Sequence, residues 1–187
     1  MTLLVASISI TDKIFIIIDL VLNRTLEIIK APLSQPNMLW ILGPMVLAMF
    51  LMSFYFGRYK SEELGWNTAF GNSLILIFIS VDLLRFLYNQ GLLFQFSVHN
   101  ALVAAIILEG FLLTFFNFFH LMPKSFAFGL SSGQTVNVIM LFVIVLIYSQ
   151  LPLNYITAIS CALLAIILLL SIKIIQIIQP TFIEEGE

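Results

Sequence analysis

Two acids and one base stand where a membrane chain should carry none. In "SLILIFISVDLLRFLY", residues 73–88, Asp82 and Arg85 interrupt an apolar helical run. Glu109 interrupts the next one. Ionisable side chains at membrane depth are costly and turn towards a bundle interior or a wet cavity. Asp82 and Arg85 are at i and i+3, the spacing of an ion pair on one helix. On the wheel, Thr68, Gly71, Asn72, Asp82, Arg85 and Asn89 fall within about 80° of one direction. Ala105, Glu109, Phe116 and His120 form a second stripe within about 40°, with Ala101 and Asn117 at its edges.

Depth places the three charges together. Asp82 is about 10 Å from the end of its helix at Asn89, and Arg85 about 6 Å. Glu109 is about 13 Å from Asn100, on the same side if the two helices are antiparallel. Two carboxylates and one guanidinium leave a negative charge uncompensated. That excess is expected to raise a carboxyl pKa or to recruit a cation. The candidate ion- or proton-binding residues are therefore Asp82, Arg85 and Glu109, with Glu109 carrying the variable proton. Thr68, Asn72, Asn89, Asn117 and His120 form the supporting polar face. The plainer reading is that Asp82 and Arg85 neutralise each other and pin neighbouring helices. His120 reads as an interfacial histidine, and His99 falls in a loop.

Other chemistry is weakly marked. "GLSSG", residues 129–133, fits G-x-S-x-G. That motif needs a strand-to-helix turn and a downstream base, and both histidines precede it. It reads as a flexible loop in which Gly129 and Gly133 ease the turn and Ser132 caps a helix. No phosphate-loop, dinucleotide or zinc-protease fingerprint is present. Cys161 is the single cysteine, which excludes an intrachain disulfide and a multi-cysteine metal site. It reads as a packed core residue. No catalytic residue, metal or cofactor is expected.

The elements that must position these residues are membrane helices. The 187 residues are 61% hydrophobic and 10% charged, with mean hydropathy +1.10. A water-facing surface cannot be covered with so little charge, so lipid is the solvent. A net charge of −2 gives no footprint for nucleic acid. Spans are expected at about 38–56, 66–89, 100–122, 134–149 and 153–175. Trp40, Tyr55, Trp66, Tyr88, Tyr148 and Tyr155 fall near their ends, as in aromatic belts. Pro44 predicts a kink in the first span, and Ser61 with Glu62 and Glu63 suits the start of the second. The fourth is short and is expected either to tilt little or to pair with the fifth as a hairpin. Thr157, Ser160, Cys161 and Ser171, with Ala158, Ala162 and Ala165, give the fifth a surface for close packing.

Residues 12–30 differ. Asp12, Lys13, Asp19, Asn23, Arg24, Glu27 and Lys30 fall within about 140° of arc, and the rest is apolar. An amphipathic helix lying in the interface is expected, ended by the prolines of "APLSQPNM". A six-span version makes it cross. The chain thus divides into an N-terminal segment 1–37, a helix bundle 38–180 and an acidic tail 181–187. The N-terminus lacks a basic region before its apolar stretch, so it is expected to remain on the mature protein. Lys13, Arg24 and Lys30 against Arg58, Lys60, Lys124 and Lys173 leave orientation undetermined, with "FGRYK" tilting its loop towards the cytoplasm.

The expected class is an all-α, multi-pass protein of the cell membrane. Its partners are the lipid bilayer and either a second copy or other membrane subunits. Three functions fit: a proton- or cation-linked transport or permeation module, a non-catalytic subunit or assembly factor, and, more remotely, an intramembrane enzyme.

Overall fold

The computed structural model describes residues 9–59 and 65–180. The expected cap at Ser61 with Glu62 and Glu63, and the acidic tail, lie outside the described residues. The described chain is helical throughout, without strands: α1 (Ile10–Ser34), a 3-10 turn (Pro36–Met38), α2 (Leu39–Arg58), α3 (Trp66–Asn89), α4 (Val98–Phe118), α5 (Lys124–Leu130), α6 (Gly133–Ser149) and α7 (Tyr155–Ile178). Five stretches are long and apolar enough to cross a membrane: Pro36–Arg58, Trp66–Asn89, Val98–Phe118, Lys124–Ser149 and Tyr155–Ile178. This is consistent with an integral membrane protein, and the exposed Leu108, Phe111, Phe115, Ile166 and Leu170 suit contact with lipid.

Local chemistry sets the boundaries. Ser97, Ser132 and Asn154 cap α4, α6 and α7 by accepting from the backbone N–H three residues on, at 3.1, 3.1 and 3.0 Å. The Ser132 cap is the expected one. α4 stops at Phe118, short of the expected 122, because His120 takes a left-handed φ of 53°. Residues 124–130, read as loop, form the short helix α5, which starts after Pro123 and is closed by Ser131 N–H on the Ala127 carbonyl at 2.9 Å. Gly129 and Gly133 keep ordinary negative φ, and the left-handed glycine is Gly91. α1 runs through Pro32 to Ser34, so the first proline does not end it. Pro32 is in the last turn, where it costs a single backbone hydrogen bond.

Packing runs in the order α4, α3, α6, α2, α7, α1, with α6 innermost. Of the apolar stretch ending in α6, 61% is buried, against 11–33% for the other four. Gly110 of α4 lets α3 approach: a Cβ there would stand 3.0 Å from Ile77 Cγ1 and 3.1 Å from Leu76 Cβ. The fully buried Ser53 and Ser80 return their hydroxyls to the Met49 and Leu76 carbonyls at 2.6 Å, so neither leaves a polar group unsatisfied. The expected α6–α7 hairpin does not form. α7 packs on α1 and α2 instead, with Ser160 Oγ donating to the Val21 carbonyl at 3.1 Å. An apolar cavity of about 500 Å³ separates α6 from α7, lined also by α1 and α2.

α1 divides its circumference in three. Thr25, Ile28 and Ala31 are buried against the bundle, and Ile18, Leu22, Ile29 and Leu33 are exposed. The polar arc holds an Arg24–Glu27 ion pair at 3.2 Å and an Asn23 to Asp19 hydrogen bond at 3.1 Å.

Candidate functional site

The α3 charges form a compact group with a third member. Arg85 pairs with Asp82 Oδ1 one turn earlier. Tyr148, in the last turn of α6, donates its hydroxyl to Asp82 Oδ2 at 2.7 Å. The Tyr148 ring stacks on Phe86 at 4.1 Å between centroids and 24° between planes. Asp82 is thus held from two sides. Its side chain is 19% exposed, whereas that of Arg85 is 68% exposed.

The group lines a trough at one end of the bundle. An inner cavity of about 320 Å³ is bounded by Asn37, Trp40, Ile41, Pro44, Asp82, Arg85 and Tyr148. An outer one of about 430 Å³ shares Asn37, Trp40, Arg85 and Tyr148 with it and adds Phe86, Asn89 and Gln90. Its walls are the first turns of α2, the last turns of α3 and the end of α6. Asn89, expected on the polar face, is at the rim.

Glu109 does not join this group. Gly110 sits against Leu76 and Ile77, which places Glu109 about 7 Å deeper along α3 than Asp82. The α3 face that meets α4 is also a different one. It carries the buried Ala69, Ser73 and Leu76, whereas Asp82 turns towards α2 and α6. Small residues set the helix contact here, and the charged stripe was left for other neighbours. Glu109 is half-buried at the middle of α4 and has no hydrogen bond or ion pair among the described residues.

The rest of the polar face gathers at the other end of the bundle. Asn72 Nδ2 donates to the Ser131 carbonyl at 2.8 Å, and Asn117 Nδ2 donates to Ser131 Oγ at 2.8 Å and to the Ala69 carbonyl at 3.3 Å. Thr114 Oγ1 donates to Ser73 Oγ at 3.3 Å. These bonds tie α3 and α4 to the break between α5 and α6. Asn117 is 1% exposed, and its Oδ1 has no partner. His120 stacks on Trp66 with centroids 4.3 Å apart. Thr68 is half-buried and belongs to neither cluster. Ser131 is fully buried and its hydroxyl faces an amide rather than a base. Near the trough end, His99 is in the first turn of α4 rather than in a loop as expected, and its Nε2 donates to the Leu151 carbonyl at 2.8 Å, joining α4 to the loop between α6 and α7.

No family model, curated protein or solved structure matches this chain. The side chains therefore have to speak for themselves. Among the described residues no group of three or more His, Cys, Asp or Glu could hold a metal ion. The trough offers a guanidinium, a carboxylate already engaged, a phenol and exposed amides. That set can hold a polar group by charge-assisted hydrogen bonds. Sequence reasoning found Asp82 and Arg85 but read Tyr148 as a belt aromatic. The available signal was its hydroxyl, which needs a partner when its ring is buried.

Proposed function

We propose that this chain is a non-catalytic subunit of an assembly in the cell membrane, joined to a neighbouring chain through α4. Glu109 carries the reading. It is mid-span and half-buried, has no partner among the described residues, and is flanked by exposed Leu108, Phe111 and Leu112. A carboxyl in that position is costly against lipid and is satisfied by a donor on a neighbouring helix, from a second copy or another subunit. α1 would lie in the interface with its polar arc wet. Gentle detergent extraction should recover a stoichiometric partner, and Glu109→Gln should reduce its recovery while leaving the chain folded. Purification of the unaltered chain as a monodisperse monomer would exclude the reading.

The trough supports a second reading, a proton- or cation-linked permeation module. Its inner cavity reaches Asp82, about 10 Å inside the end of α3. Here Asp82→Asn should abolish flux in proteoliposomes without loss of folded protein. Unchanged flux with altered thermal stability removes this reading.

A further inference from the structure

We propose that the trough beside Arg85 binds the headgroup of a zwitterionic, amine-bearing phospholipid, with its phosphate on Arg85 and its ammonium on Asp82. The position suits a headgroup. Arg85 is about 6 Å inside the end of α3, within reach of the interface. Trp40, 86% exposed in the first turn of α2, stands at the same rim, where indoles favour the headgroup level. Asn37, Asn89 and Gln90 add exposed amides around the outer cavity, and Ile41 and Pro44 give the inner one apolar walls.

The donors suit a phosphate. A guanidinium carries five N–H groups in a planar fork. Asp82 engages part of that fork, and the side chain remains mostly exposed. Charge then selects among lipids. Asp82 and Arg85 sum to zero, so an anionic headgroup would leave a net negative charge in a partly desolvated site and a simple cation a net positive one. A headgroup with both charges keeps the sum at zero. Each end meets its opposite, and a primary ammonium can hydrogen-bond the carboxylate. The inference is independent of the α4 partner, because the trough is on the α2, α3 and α6 side.

The test titrates the delipidated full chain in detergent with dioleoyl phosphatidylethanolamine, phosphatidylcholine or phosphatidylglycerol, reading bound lipid by native mass spectrometry and unfolding by thermal shift. Phosphatidylethanolamine should bind saturably and about tenfold tighter than either other lipid. The charge-conserving double variant Asp82→Asn/Arg85→Gln should lose that preference. Trp40→Ala, at an exposed site, should weaken phosphatidylethanolamine binding without changing lipid-free stability, which keeps the test decisive if the double variant does not fold. Equal binding of the three lipids overturns the proposal, as does a preference that survives both variants. Equal stabilisation by soluble phosphoethanolamine also overturns it, since that would put a soluble metabolite in the trough.

Discussion

Asp82 is held by a guanidinium from its own helix and a phenol from another, so its two partners should fail differently when removed. Tyr148→Phe deletes one hydrogen bond to a charged group and should destabilise by about 1.5–3 kcal/mol. Arg85→Gln leaves the carboxylate facing Tyr148 alone, and should cost more than the Asp82→Asn/Arg85→Gln pair. Thermal unfolding of the three variants in one detergent measures this; a double variant less stable than Arg85→Gln alone would contradict it. At the opposite end, Asn117→Ala removes the donor to Ser131 Oγ and should lower stability by about 1–3 kcal/mol in the same assay. The Asp82–Arg85 pair was legible because both residues share one helical turn. Tyr148 was not, since it is 66 residues further along the chain and nothing local announces the contact.

Helix contacts follow the small residues more than the charged ones. Gly110→Ala would push a methyl into Leu76 and Ile77 and should cost about 1–3 kcal/mol. Gly71→Ala, on the exposed side of α3, is the matched control. Nothing lies within 4 Å of a Cβ there, and helix propensity should make the change stabilising by about 0.5–1 kcal/mol. Equal effects of the two on the unfolding midpoint would argue against the α3–α4 packing described. The same distinction explains what was readable in advance. Hydropathy placed the five helices that are long and apolar enough to cross a membrane, and α3 at its full extent, because length and composition alone define them. The rotation of α3 was misjudged: Asp82 and Asn72 looked like a surface for α4, yet Ala69, Ser73 and Leu76 took that role. α7 likewise took neighbours other than α6. Ser160 found a carbonyl on α1, a partner 139 residues away that local pattern could not foretell.

Among the described residues the polar contacts between α3, α4 and α6 fall into two clusters at opposite ends, with Glu109 between them and apart from both. If Glu109 meets another chain, carboxyl-to-amide replacement should cut partner recovery while leaving both clusters, and hence the unfolding midpoint of the isolated chain, within about 0.5 kcal/mol of its original stability. Size-exclusion profiles and unfolding curves of the same preparations separate these outcomes.

The innermost helix touches both clusters. The Ser131–Ser132 break lies at the start of α6, and Tyr148 is one residue from its end. The seventeen residues of α6 make a rod of about 25 Å. A packed helix transmits axial displacement rather than absorbing it. A slide that pulled Tyr148 from Asp82 would therefore load the Ser131 anchor at the far face, so the two faces of the bundle share one mechanical member.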